Sequence, residues 1–132
     1  MRFMWLIRNH CYFADCGEID IVIVIDISGC HATDPRWEIT KDLVECIVDG
    51  LLFVDKVRIG LVVYNSTGHS QSFLIDPKDE ILTLLEAVVP GGRARTSQGV
   101  QTAVTEQFLP ARGDRPLAPV SKIKLFVILN NN

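Results

Sequence analysis

The sequence predicts an α/β layered fold around a mostly parallel sheet. Three observations carry that prediction. In "IDIVIVIDISGC", Ile19 to Ile25 is continuously apolar rather than alternating, the pattern of a strand buried on both faces of a parallel sheet. Strand-like and helix-like stretches then alternate along the chain. Finally, the first strand runs straight into Asp26, Ser28 and Gly29, polar residues at the carboxyl end, where sheets of this class place their ligands. The chain has 132 residues, 48% hydrophobic and 22% charged, which suits one domain with a core. A net charge of −3 and the lack of a basic run argue against nucleic acid and against an anionic membrane surface. No apolar run approaches the ~18 residues of a membrane span.

The first strand covers Ile19–Ile25. "SGCHATDP" is a turn, and Asp34 caps a helix that Pro35 opens. Trp37, Leu43, Val44, Ile47, Val48 and Leu51 recur at helical spacing, so the first helix spans Pro35 to Leu52. "KVRIGLVVYN" is a second strand, Lys56 to Asn65. The short loop "STGHS" joins it to a third, antiparallel strand, Gln71 to Ile75. "DPKDEILTLLEAVV" reads as a second helix, capped by Asp76 and opened by Pro77. "PGGRART" breaks it, and a third helix follows from Ser97 to Phe108. After a Pro-rich loop, "KIKLFVILN" is the fourth strand. Right-handed crossovers then give the spatial order 3-2-1-4, with strand 3 antiparallel. The winding reverses between strands 1 and 4, which sets a binding crevice beside Asp26, Ser28 and Asn131.

The first 17 residues, "MRFMWLIRNHCYFADCG", read as a poorly ordered lead-in, with the domain over 18–132. Arg8 stops the apolar run short of the roughly 7–15 residues of a secretory signal. Cys11 and Cys16 lie close enough in sequence to pair or to stay free, and Cys46 reads as an inert buried thiol in a helix. No C-x-x-C pair points to zinc. One glycosylation sequon, Asn65-Ser66-Thr67, leans toward an extracellular setting. His31 and His69 read as solvated loop residues. Arg93 and Arg95 lie in the loop that leads to Thr96, as a solvated pair or as contacts for an acidic partner.

Five pieces in order resemble the von Willebrand factor type A domain of integrin α chains, matrilins and some collagens. They are "DIVIVIDISG", "DKVRIGLVVYNS", "FLIDPKDEILTLLEAV", "PGGRARTSQGVQTA" and "KIKLFVILNNN", covering Ile19 to Asn132. The resemblance implies a three-layer, Rossmann-like fold. It also implies a non-enzymatic adhesion or protein–protein interaction role, extracellular or secreted within a larger protein, with collagen or another matrix or adhesion protein as partner. The family's fold continues through two further strands, so the sequence reads as an incomplete domain with "LFVIL" as an exposed, aggregation-prone edge.

The family's metal-ion-dependent adhesion site combines Asp-x-Ser-x-Ser, a loop threonine and a late aspartate. By resemblance, Asp26, Ser28 and Thr96 match, while Cys30 and Asn131 stand at the other two positions. Mg²⁺ takes hard oxygen ligands in near-octahedral geometry, a thiol is soft, and Asn131 lacks the carboxylate charge. The site is therefore expected to bind Mg²⁺ weakly or not at all. In a metal-free site, Asp26 would accept hydrogen bonds from Ser28, Thr96 and loop amides. Arg112-Gly113-Asp114 spells the tripeptide that integrins recognise, although Gly-Asp is also ordinary turn chemistry. An alternative reading makes Asp26 the nucleophile of a phosphatase-like domain. That chemistry needs a second acid two residues on, where Ser28 stands.

Overall fold

The structure, a computed structural model, describes residues 18–29, 31–114 and 123–129. The lead-in over 1–17, with Cys11 and Cys16, lies outside the described residues, as do Cys30 and Asn131.

Four strands form one sheet in the order β3-β2-β1-β4. They are β1 (Ile19–Asp26), β2 (Val57–Tyr64), β3 (Gly68–Ser72) and β4 (Ile123–Leu129). β1 is parallel to both neighbours, with Asp26 opposite Tyr64 on β2 and Ile25 opposite Leu129 on β4. β3 pairs antiparallel with β2. This is the predicted order and the predicted sense of every pair.

The unbroken apolar run of β1 has a direct cause. Ile21, Ile23 and Ile25 face one core, together with Trp37, Val44, Ile47, Val48 and Leu51 of α1 (Pro35–Leu51) and Ile81 and Leu85 of α2 (Ile81–Glu86). Val22 and Val24 face a second core with Val62, Tyr64, Leu74 and Ala103. Both faces of the strand are covered, so alternation has no role. Among the described residues, no helix is long and apolar enough to cross a membrane.

α1 starts as the sequence predicts. Asp34 accepts a hydrogen bond from the Arg36 N–H at 2.9 Å, and Pro35 opens the helix. Lys41 of α1 bridges Glu38 at 2.9 Å and Glu86 of α2 at 3.2 Å. Three expectations need correction. β3 is Gly68–Ser72, not Gln71–Ile75: Phe73, Leu74 and Ile75 have strand-forming side chains, but Leu74 is buried from a turn and the polar edge strand precedes them. The second helix does not open as one α-helix capped by Asp76. Asp76 instead accepts from the Phe73 N–H at 2.8 Å, a short 3-10 turn spans Lys78–Glu80, and α2 follows it. The third helix divides into α3 (Thr96–Thr102) and a π-helical turn (Ala103–Gln107), whose wider winding seats Gln107 in the interior. There the Gln107 Nε2 donates to the Ser72 carbonyl at 2.8 Å, and the side chain fills the space left by Gly60.

Candidate functional site at the carboxyl end of the sheet

The chain leaves β1 through a local device. The Asp26 Oδ1 accepts the Ser28 N–H at 2.8 Å and the Ser28 hydroxyl at 2.6 Å. A carboxylate bonded two residues ahead makes an Asx turn, which bends the backbone off the strand. Both residues are buried. The Ile27 N–H still donates to the Tyr64 carbonyl at 2.9 Å, so the turn starts from a strand edge that remains anchored.

A second loop closes on the first. The Gly91 N–H donates to the Ile27 carbonyl at 2.6 Å, and the Gly29 N–H to the Gly92 carbonyl at 3.2 Å. The Arg95 N–H donates to the Asn65 carbonyl at 2.8 Å. These bonds bring the loop before α3 to the same end of the sheet as Asp26. Thr96, the first residue of α3, has its Oγ1 3.2 Å from the Tyr64 hydroxyl. Burial pushes the Tyr64 hydroxyl pKa up, the Thr96 bond opposes that, and the Asp26 charge adds to it. Asp26, Ser28 and Thr96 therefore gather around Tyr64 at one end of the sheet. Cys30 and Asn131 lie outside the described residues.

Around the gathered oxygens the surface is exposed and mixed. Val89, Arg93, Arg95 and Thr96 are exposed, and neither arginine forms an ion pair with a described residue. Arg36 reaches back from α1 to donate from Nη2 to the Gly29 carbonyl at 3.0 Å while pairing with Asp34 at 2.8 Å. His31 is exposed, and the Nε2 of exposed His69 sits 2.8 Å from the Thr67 hydroxyl. The described donors fit a hard cation in kind: one carboxylate and two hydroxyls, all oxygen. Among the described residues, no group of three or more His, Cys, Asp or Glu side chains is placed to hold a metal.

The other singled-out residues lie elsewhere or have other tasks. Asn65 is half-buried, and its Nδ2 donates to the Gly91 carbonyl at 3.2 Å. Arg112 stacks on Phe73, 4.1 Å from the ring centroid. Gly113 is buried at φ 95°, a left-handed value suited to glycine, and its carbonyl accepts from Arg58 Nη1 at 2.7 Å. The Asp114 N–H donates to the Leu109 carbonyl at 3.1 Å. This packing favours the turn role of Arg112-Gly113-Asp114 over display as a free tripeptide. Cys46 is a free thiol on α1 and is half-buried, not fully buried as its place in the helix suggested.

Sequence reasoning passed over Tyr64, Arg36 and Gly99. Tyr64 ends an apolar strand and reads as core. Only the pairing opposite Asp26 and the glycine at position 99, which leaves room for its ring, turn it toward the site.

A family model described as the von Willebrand factor type A domain matches residues 20–130. Among solved structures, proximal thread matrix protein 1 from the mussel byssus, with a zinc-occupied MIDAS motif, is similar. It shares 25% identity at a TM-score of 0.64, over 86% of this chain and 29% of that one. This chain thus spans less than a third of the mussel protein. The type V pili tip protein Mfa5 from Porphyromonas gingivalis, represented by three N-terminal domains, shares 20% identity at a TM-score of 0.59, over 83% and 19% of the two chains. An uncharacterized membrane-spanning protein from Vibrio fischeri shares 20% identity at a TM-score of 0.60, over 75% and 52%. The last two show likeness of fold alone. No curated protein matches the sequence.

Proposed function

This chain belongs to the von Willebrand factor type A domain family, and we propose that it is a non-enzymatic module that binds a protein partner at the carboxyl end of its sheet. The observation that carries this reading is the closure of two loops there, Ile27–Gly29 on Gly91–Gly92, which sets an exposed rim over buried Asp26. The rim combines apolar Val89 with the planar cations Arg93 and Arg95, a mixture suited to protein side chains, acidic ones included. The likeness to a byssal matrix protein at 25% identity supports an extracellular matrix setting; collagen, a partner the family resemblance implies, is the first to test.

Asp26, Ser28 and Thr96 would hold a metal, which we propose is Mg²⁺, bound weakly. When bound, a hard cation supplies a positive charge and an open position for a partner's oxygen. The chain's own residues do the positioning. Asp26 fixes the Ser28 hydroxyl, Tyr64 supports Thr96, and Arg36 holds the turn at Gly29. Ser28 stands where phosphatase chemistry would need a second carboxylate, and its hydroxyl is engaged by Asp26.

Surface plasmon resonance over immobilised collagens and other matrix proteins tests the proposal, with Mg²⁺ and with EDTA. Reversing the rim charges in an R93E/R95E double variant leaves the core untouched and should weaken binding by about tenfold or more. Unchanged binding by that variant would move the interface elsewhere. Hydrolysis of p-nitrophenyl phosphate that vanishes in D26N would favour the enzymatic reading instead.

A further inference from the structure

We infer that Asn65 is the latch that fixes the Gly91–Arg95 loop over the end of β1, and that its side-chain nitrogen serves this contact rather than a glycan. All four polar groups of Asn65 are engaged. Its N–H donates to the Thr67 carbonyl at 3.0 Å, and its Oδ1 accepts the Thr67 N–H at 3.3 Å. Its carbonyl accepts the Arg95 N–H at 2.8 Å, and its Nδ2 donates to the Gly91 carbonyl at 3.2 Å. The first pair shapes the β2–β3 turn, and the second pair grips both ends of the loop.

From that loop the grip passes to the Asx turn. Gly91 donates to Ile27, and Gly92 accepts from Gly29. One residue at the end of β2 thus ties together the β2–β3 turn, the loop bearing Arg93 and Arg95, and the segment after Asp26. The fit is close as well as polar. A Cβ at Gly92 would lie 3.1 Å from Asn65 Nδ2 and 3.3 Å from its Cβ, and Gly92 has φ 89°. The glycine brings loop backbone flush against the amide.

That closeness sets a conflict with the sequon Asn65-Ser66-Thr67. A glycan joined to Nδ2 replaces one N–H with a C–N bond to a sugar ring. The remaining N–H can still donate, but a Cβ at Gly92 would already lie 3.1 Å from Nδ2, so a sugar joined to that nitrogen competes with the loop backbone for room. On this inference a glycan on Asn65 loosens the closed loop. The inference does not depend on what the crevice binds.

Amide hydrogen exchange and intact mass provide the test. N65D keeps the oxygen that accepts from Thr67 and loses the donor to Gly91. Its Gly29, Gly91 and Arg95 amides should exchange about tenfold faster, while those of Val22, Ile23 and Val62 keep the parent rate. T67A destroys the sequon but keeps Asn65, and should match the parent at all six. Parent-like loop exchange in N65D, or equal loosening in T67A, overturns the latch. The parent chain from a glycosylating secretory host serves even where a variant fails to fold. Folded material without a glycan, or glycosylated material with a loosened loop, supports the inference. Glycosylated material with fully protected loop amides overturns it.

Discussion

Asp26 holds its place by bending the chain that follows it. Its Oδ1 takes both the amide and the hydroxyl of Ser28, so the turn is written within three residues and needs no distant partner. Asp34 acts in a similar local way one turn later, accepting from the Arg36 amide and pairing with its guanidinium. The Arg36 side chain, then its N–H, pulls the Asp34 carboxyl from 3.8 down to about 2. A carboxyl depressed in the folded state stabilises it above the unfolded value, and that contribution disappears as pH falls through the folded one. The parent should therefore lose stability between about pH 4 and pH 2 more steeply than D34N, in which Asn keeps the cap without titrating. Parallel urea midpoints for the two proteins over that window would rule this out. For the metal, C30S/N131D restores a hydroxyl and a carboxylate and should bind Mg²⁺ at least about tenfold more tightly than the parent, a difference of about 1.4 kcal/mol. Calorimetric titration with equal affinities would show that ligand softness and charge are not what limits the site.

The elements owe their placing to small residues as much as to large ones. α3 lies against β2 because Gly99 admits the Tyr64 ring, and a Cβ there would run into that ring. Tyr64 is fully buried, so the ring has little room to move aside. G99A should cost roughly 1–3 kcal/mol by overpacking. It should also loosen Thr96, whose hydroxyl meets the Tyr64 hydroxyl. Chemical denaturation reads the first effect, and an unchanged midpoint would mean that α3 shifts without cost. β3 shows the opposite case. "GHSQS" carries no strand-like side-chain pattern, yet it pairs with β2 because the turn at Asn65–Thr67 delivers it there.

Across the whole molecule, stability rests on β1. It is the one described strand with parallel partners on both sides, and its side chains divide between two cores. I23A removes a fully buried side chain from the larger core and should cost about 2–5 kcal/mol. Ile39 on α1 is 66% exposed, and I39A should stay within about 0.5 kcal/mol of the parent. Similar losses for the two variants would mean that α1 buries its outer face against something beyond the described residues.

By itself the sequence determined the sheet order, the parallel and antiparallel senses, the capped start of α1 and the end of the sheet at which Asp26 lies. These follow from hydrophobic period, turn residues and connection handedness, all written in short stretches of chain. It did not reveal the extent of β3, the 3-10 entry to α2 or the π turn at Ala103–Gln107. There the local signal of Phe73–Ile75, Asp76 and Val104–Phe108 yields to what each side chain must reach across space. The grouping of Tyr64 with Thr96, and of Asn65 with Gly91, was decided only in three dimensions. Those pairs lie 32 and 26 residues apart, and nothing in either neighbourhood marks its partner until the sheet and its loops have closed.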